Sequence, residues 1–480
     1  VARGPGKGKL RALGSDPDRR RQVSDRISRM LAEYAASVRW EAVPEPTVHE
    51  VKRRVLDSLG VALAAFSEPA PKAARAYAYR WPVSRGALLW GTAFTAPVEA
   101  AAFCNGVMVR YLDFNDTYLS KEPLHPSDTI PALWALAEWR GIPAREFLLS
   151  VAVAYEVGVS LCDAASLRRW GWDHVNYIGV ATAVASGRLL GLPVDRIEHA
   201  VSLACVPHAA MRQTRAGELS MWKGAAAANA ARHGVFGALL AEAGMTGPYQ
   251  PFEGEMGFFR QLLGGEGFAE EPLEPLRSKR PPRRILDTYI KYWPVEYHAQ
   301  SAVDAALQLR GELQDPARVS SVHIATFRAA YEIIAKDPEK WEPKTRETAD
   351  HSLPYIVLVA LLDGRVDRAS FAPQRFTDPA VRRMLKEHTR LEEDPALTAG
   401  YPDGIPNRVE VRTHDGQVYV REVRYPRGHA KNPLSDEEVV RKFRANVEGV
   451  LSEAQAEQVV EAVWTLEDRE LREVAELLRL

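Results

Sequence analysis

Residues 111–128 read YLDFNDTYLSKEPLHPSD and place two carboxylates, Asp113 and Asp116, near Thr117, His125 and Ser127. Carboxylates and histidine take up and return protons near neutral pH, so this run could carry acid–base chemistry. It interrupts Ala-rich segments with helical spacing, as the wall of a cleft would. Four further stretches share its character. They are WGWDHVNYIG with His174, AMRQTRAGELSMWKGAAAANAARHG with Arg212, Arg215 and Lys223, KYWPVEYHAQSAVDAA with Glu296, His298 and Gln300, and FRAAYEII with Tyr331. Each sets polar groups at the edge of an apolar helix.

These residues also have ordinary uses. Asp116 or Thr117 can cap a helix or turn. A single histidine can serve in a core or on a surface, and a lysine can snorkel to solvent. Lys223 is distinctive because it opens an Ala-rich helix, where a cation gains nothing from the helix dipole. Together with the helix N–H groups it favours an anion, such as a substrate carboxylate.

The whole inventory suits removal or return of a proton on a carbon next to a carboxylate. Such a carbon is a weak acid, because its ionisation makes a doubly charged aci-carboxylate. Lysine, arginine and N–H donors offset that charge where it develops, while a second group protonates a departing hydroxyl. The residues alone point to a lyase or isomerase of small polycarboxylic acids. Two other classes stay open at this level. Asp113 and Asp116 hold part of the DDxxD pattern with which terpenoid synthases bind magnesium, and a catalytically inactive chain could serve as a binding or scaffold protein.

Composition narrows the field. The chain has 480 residues, 46% of them hydrophobic, which suits a globular protein of two or three domains. A net charge of -1 argues against a nucleic-acid partner. No consecutive apolar run approaches the roughly 18 residues of a membrane span; YIVLVALL at 355–362 reads as a buried helix. The N-terminal stretch lacks a signal-peptide pattern. Its GPGKGK only faintly resembles a phosphate loop, with Leu10 where Ser or Thr belongs. Cys104, Cys162 and Cys205 lie far apart without a C-x-x-C, which suggests a reducing, cytoplasmic setting and no iron–sulfur cluster.

The elements that must position these groups follow from periodicity. Residues 1–20 read as a flexible tail and 21–272 as a helical domain. A smaller α+β domain follows over 273–434, after a proline-rich, charged junction, and helices at 435–480 return to the first domain. In PTVHEVKRRVLDSLGVALAAF, Thr47 and Glu50 have capping-box spacing, and Val48, Val51, Val55, Leu59, Leu63 and Phe66 form one apolar stripe. RVEVRTHDGQVYVREVRY reads as a hairpin turning at Asp415-Gly416.

The strings LDFNDT, HPSD, AVSLACVPHAAMRQTRAGELSMWKGAAAANAARHGVFGALLAEAGMTGP, YWPVEYHAQSAVDAAL and VREVRYPRGHAKNPLSDEEVVRKF, in this order, resemble the MmgE/PrpD family. Its members include 2-methylcitrate dehydratase, cis-aconitate decarboxylase and iminodisuccinate epimerase. The resemblance covers about residues 50–450. It implies a mainly α fold, with a large all-helical domain built from both chain ends and a smaller α+β lid domain. It also implies a homodimer, an active site in a cleft between the domains, and no metal or other cofactor.

Active-site positions of the decarboxylase members fall on Asp113, Thr117, His125, His174 and Lys223, and their lid tyrosine on Tyr331. Where those members carry a histidine after the lid proline, this chain has Glu296, as in the dehydratase branch. The expectation is therefore dehydration of 2-methylcitrate. Asp113, His125, His174, Lys223 and Glu296 are the candidate catalytic groups, and Thr117, Arg212, Tyr331 and His298 the candidate substrate ligands. Glu296 either orients His298 or takes a proton itself. Asn115 replaces the second aspartate of the family's DFDDT and is expected to affect only the packing of its loop.

Overall fold

The computed structural model describes residues 25–480. The tail expected over 1–20, with its GPGKGK run, lies outside them. The anticipated capping box on Thr47 and Glu50 does not form. The helix starts earlier, at Glu45, behind Pro44 and with Pro46 in its first turn, because the fixed φ of proline suits the opening positions of a helix. Thr47 instead donates its hydroxyl to the Pro282 carbonyl (3.0 Å), and Glu50 accepts from Arg54 (2.8 Å).

The helix Glu45–Ala64 is buried on every side from Val51 onward, so the apolar stripe seen in the sequence is only part of what it buries. Its buried charges must find partners, since an unpaired one is strongly destabilising. Asp57 pairs with Lys442 (2.6 Å), Lys52 with Glu467 (2.6 Å) and Arg53 with Asp436 (2.8 Å). All three partners come from the last 45 residues, in the helix Asp436–Val447 and the turn Leu466–Asp468. The end of the chain is thereby fastened to its beginning.

Around this axis pack the helices Val98–Tyr111, Ala144–Ala164, Val175–Leu189 and Ala226–Glu242. Small residues let the last two approach closely: a Cβ on Gly234 would lie 2.6 Å from Thr182 Cβ and 2.8 Å from Ala183 N. The helix Ala144–Ala164 is long and apolar enough to cross a membrane by length and mean hydropathy, although the sequence shows no such uninterrupted run. Its most apolar window is 94% buried inside the protein, which makes it a core helix. The helical part also holds a two-residue antiparallel pair, Ala87–Leu88 with Thr95–Ala96.

The second part carries a four-stranded sheet in the order Thr389–Glu393, Val319–Thr326, Asn407–Thr413, Val418–Val423. The first two strands are parallel and the other pairs antiparallel. The last two form the expected hairpin, with Gly416 at φ 83°. The helices Gln300–Leu313 and Leu353–Asp363 pack together behind the sheet, the second buried from Leu353 to Leu361 as its apolar run suggested. Thr117 and Tyr289 exchange backbone hydrogen bonds of 2.9 and 2.8 Å, joining the segment 111–128 to the start of the sheet-bearing part.

Replacing Gly234 with Ala should destabilise the protein by about 1–3 kcal/mol, because the added methyl overpacks the helix contact that places the site. A thermal unfolding midpoint unchanged from the parent's would contradict that packing.

Candidate active site

Asp113 follows the helix Val98–Tyr111 and adopts a left-handed backbone, φ 53°. Aspartate tolerates that region better than most residues, and such a conformation is held only where surrounding contacts enforce it. Here they do. Lys291 Nζ donates to the Asp113 carbonyl (2.8 Å) and stands 3.1 Å from its carboxylate. Arg110 bonds the same carboxylate, Lys223 Nζ lies 3.7 Å from it, and His351 Nε2 3.5 Å. Burial opposes ionisation of Asp113, but Arg110, Lys223, Lys291 and His351 together hold its carboxyl well below the usual range.

His125 sits at the end of the same segment. Its Nδ1 is 2.6 Å from the Asp116 carbonyl and its Nε2 3.0 Å from Arg110 Nη2. A carbonyl only accepts and a guanidinium only donates, so Nδ1 bears the proton and Nε2 accepts. Burial, then Arg110 and Lys291, push its pKa well below the ordinary histidine value. Asp116 has a structural role, accepting from the Ser127 N–H (3.0 Å) and from Tyr155 Oη (2.6 Å). Asn115 donates to Ser127 Oγ and Asp128 Oδ1, both 2.9 Å, within the loop it was expected to pack.

The segments bearing His174 and Arg212 are tied together by backbone bonds from Asp173 N to the Ala210 carbonyl and from Arg212 N to the Gly171 carbonyl, both 2.9 Å. Arg215 pairs with Asp173 (3.0 Å) and faces His174 Nε2 at 3.4 Å. Burial, then Arg215, lowers the His174 pKa well below its ordinary value. The His125 and His174 rings lie 5.7 Å apart.

On the sheet side, Glu296 caps a short turn by accepting from the His298 N–H (2.8 Å). Its other oxygen lies 2.7 Å from His298 Nδ1. Burial raises the Glu296 pKa, but His298, His351 and Lys291 outweigh it and bring the carboxyl down to about 2.

These side chains meet around one enclosed cavity, with about 70 Å³ of room for the centres of water molecules. Asp113, Thr117, His125, His174, Arg212, Lys223, Glu296 and His298 all line it. Tyr331 does not. The helix Arg328–Ile334 presents Ile333 to the cavity instead, because two residues of helix turn the Tyr331 side chain away. A larger groove of about 1330 Å³, lined by residues such as Tyr111, Trp293, Phe371 and Phe376, holds none of these histidines.

Lys223 is fully buried, and its Nζ has no hydrogen-bond partner among the described residues. Burial is the main reason its pKa falls to about 8. Arg212 lines the wall as the sequence suggested, while the Thr117 hydroxyl donates to the Leu124 carbonyl (3.0 Å).

The family follows from the whole chain. Residues 29–271 match the MmgE/PrpD N-terminal domain and residues 293–467 the MmgE/PrpD C-terminal domain. The chain belongs to the MmgE/PrpD family. It is 32% identical to the 2-methylcitrate dehydratase of Cupriavidus necator, over 90% of this chain and 92% of the relative. It is also 32% identical to the enzyme of that name from Salmonella typhimurium, over 82% and 84%. The cis-aconitate decarboxylase of Mus musculus is 28% identical, over 88% and 87%.

Several residues that line the cavity, and Lys291 behind Asp113, were not singled out in the sequence. Arg110 sits inside a helix pattern and Lys291 one turn before the PVEYHAQ run, where each reads as a surface cation. His351 precedes Ser352, the cap of the apolar helix Leu353–Asp363, and so reads as part of a helix start. Its Nδ1 is 2.6 Å from Asp350 Oδ1, and burial is the first cause of its pKa falling to about 4. Lys340 and Arg168 come from segments with no distinctive spacing.

Two outcomes follow from these charges. Lys291→Met should cost about 3 kcal/mol in urea unfolding, since it leaves Asp113 short of a buried partner; a loss under about 0.5 kcal/mol, the size of a surface change, would contradict it. Folded His125, His174 and His351 resist protons that their unfolded counterparts take up near pH 6.5. Their contribution to stability should therefore be full above about pH 6.5 and be lost as the pH drops toward about 4, where Asp113 adds its own loss. The buried carboxyls of Glu122, Asp128 and Glu138, pushed up to about 7, act in the opposite sense. Replacing His351 with Gln should therefore flatten the acid side of the urea-midpoint profile between pH 7 and about 5, and a profile parallel to the parent's would oppose this.

Proposed function

We propose that the chain is a hydro-lyase that removes water from 2-methylcitrate to give 2-methyl-cis-aconitate, without a cofactor. The observation that carries this reading is the charge of the cavity wall. Six cations line it (Arg110, Arg168, Arg212, Arg215, Lys223 and Lys340) against two carboxylates, Asp113 and Glu296. A small polycarboxylate complements that excess, and low-dielectric surroundings strengthen its hold. Lys223 and Arg212 grip substrate carboxylates. Ionised Asp113 keeps Arg110, Lys291 and Lys223 in place.

In the elimination a proton leaves the carbon bearing the methyl group and a carboxylate, and the hydroxyl leaves the neighbouring carbon. The charge that builds on the carboxylate is met by cations already in position, with no solvent to reorganise. Glu296 at the position where the decarboxylase pattern has histidine supports dehydration over loss of carbon dioxide. So do the names of the relatives at 32% identity. Leu119, Leu219 and Ile333 give the cavity an apolar side for the methyl group. Residues 273–434 form the lid in this reading, opening to admit substrate.

A homodimer is part of the same reading. Tyr77, Trp81 and Trp222, each nearly half exposed, line one surface hollow and suit a subunit contact. Three buried free thiols suit a reducing, cytoplasmic setting.

Purified protein should convert 2-methylcitrate to an unsaturated product followed by ultraviolet absorbance, with a rate indifferent to chelator. Citrate should react about 10–200-fold less well in kcat/KM, the range a single methyl group supports. Lys223→Ala should abolish turnover while leaving the unfolding transition in place. Absence of product from 2-methylcitrate, with iminodisuccinate epimerised or cis-aconitate decarboxylated instead, would overturn the proposal.

A further inference from the structure

Four histidines line the cavity, and their second ring nitrogens are engaged differently. His125 Nε2 accepts from Arg110 at 3.0 Å, and His174 Nε2 faces Arg215 at 3.4 Å. His351 Nε2 stands 3.5 Å from the Asp113 carboxylate, in the field of Lys223. His298 Nε2, on a residue only 2% exposed, has no hydrogen-bond partner among the described residues. The two carboxylates on the wall are also committed, Asp113 to three cations and Glu296 to His298.

The ring of His298 is fixed on all sides. An ionised Glu296 can only accept, so His298 Nδ1 bears a proton, and in the neutral ring Nε2 presents its lone pair. Phe327 and Tyr401 flank the ring at centroid distances of 5.4 and 5.8 Å. Asn407 Nδ2, at the start of a sheet strand, holds the His298 carbonyl at 2.9 Å. A buried lone pair held this rigidly is what a general base needs.

The geometry points to His298 as the catalytic base of the elimination, with Glu296 as the residue that positions it. This rests on the dehydration reading and deepens it. His298 Nε2 takes the proton from the carbon next to the carboxylate, and the C–H electron pair becomes the new C=C bond. The C–O bond breaks, and the hydroxyl leaves as water with a proton from the Lys223 ammonium. Exchange with solvent then removes the proton from His298 and restores the one on Lys223. Glu296 holds the Nδ1 proton and stabilises the imidazolium formed during the step.

Steady-state kinetics on 2-methylcitrate test the assignment with His298→Ala, His298→Gln and Glu296→Gln. His298→Gln keeps a donor for Glu296 and much of the volume, which guards against loss of fold. Both His298 variants should lose about 10²–10⁴-fold in kcat, with KM within about threefold of the parent's. Added imidazole should restore turnover to His298→Ala and leave His298→Gln unchanged. Glu296→Gln should lower kcat about 10–100-fold at nearly constant KM, with Glu296→Asp recovering part of it. A His298 variant keeping more than about a tenth of the parental kcat overturns the assignment, as does a loss confined to KM. Failure of the parent on 2-methylcitrate counts against the dehydration reading itself, whereas an active parent with active His298 variants counts against the base alone.

Discussion

A single buried ion cluster governs this molecule: the Asp113 carboxylate held by Arg110, Lys291 and Lys223. Three cations around one anion leave a net positive charge inside the protein. Such a charge is costly to bury without compensation, and the cavity beside it supplies a place for compensation. The proposed polycarboxylate substrate would complete the charge balance that the folded chain leaves open. In the proposed elimination, binding and catalysis would draw on the same imbalance, since the reaction adds negative charge to a carboxylate held there.

The fold exists to bring those charges together from distant parts of the chain. Arg110 and Asp113 come from the end of one helix, Lys223 from the turn before another, and Lys291 from the start of the sheet-bearing part. Lys442, from the C-terminal helix Asp436–Val447, donates to the Phe114 carbonyl (2.9 Å) while paired with Asp57 (2.6 Å). The last helices thus brace the loop that carries Asp113. This explains why both ends of the chain contribute to the helical part. Glu296 and His298 approach from the opposite side, with the Glu296 N–H bonded to the Asp350 carbonyl (2.9 Å) next to His351.

Much of this was legible in the sequence because it depends on local pattern. The long helices announce themselves by period, the hairpin by Asp415-Gly416, and the segment 111–128 by polar residues where apolar ones should continue. Local pattern also misled at Thr47, where capping-box spacing was outweighed by the prolines just before it. Tyr331 was carried over by resemblance along a strand and helix whose register a single sequence constrains weakly, and the cavity receives Ile333 instead. Arg110, Lys291, Lys340 and His351 were invisible for a different reason. For Lys291 and His351 the partner is Asp113, more than a hundred residues away, and no periodicity encodes a tertiary ion pair. The double hold of Glu296 on His298 lay within two residues of sequence, yet its direction needed coordinates.

Cavity charge is the claim on which the account turns, and a crystal structure of the protein with 2-methylcitrate bound addresses it most directly. Its carboxylates should lie within hydrogen-bonding distance of Lys223 Nζ and the Arg212 guanidinium, with the methyl-bearing carbon facing His298 Nε2. Ligand bound elsewhere on the molecule, with the cavity between Asp113 and His298 filled only by water, would contradict it.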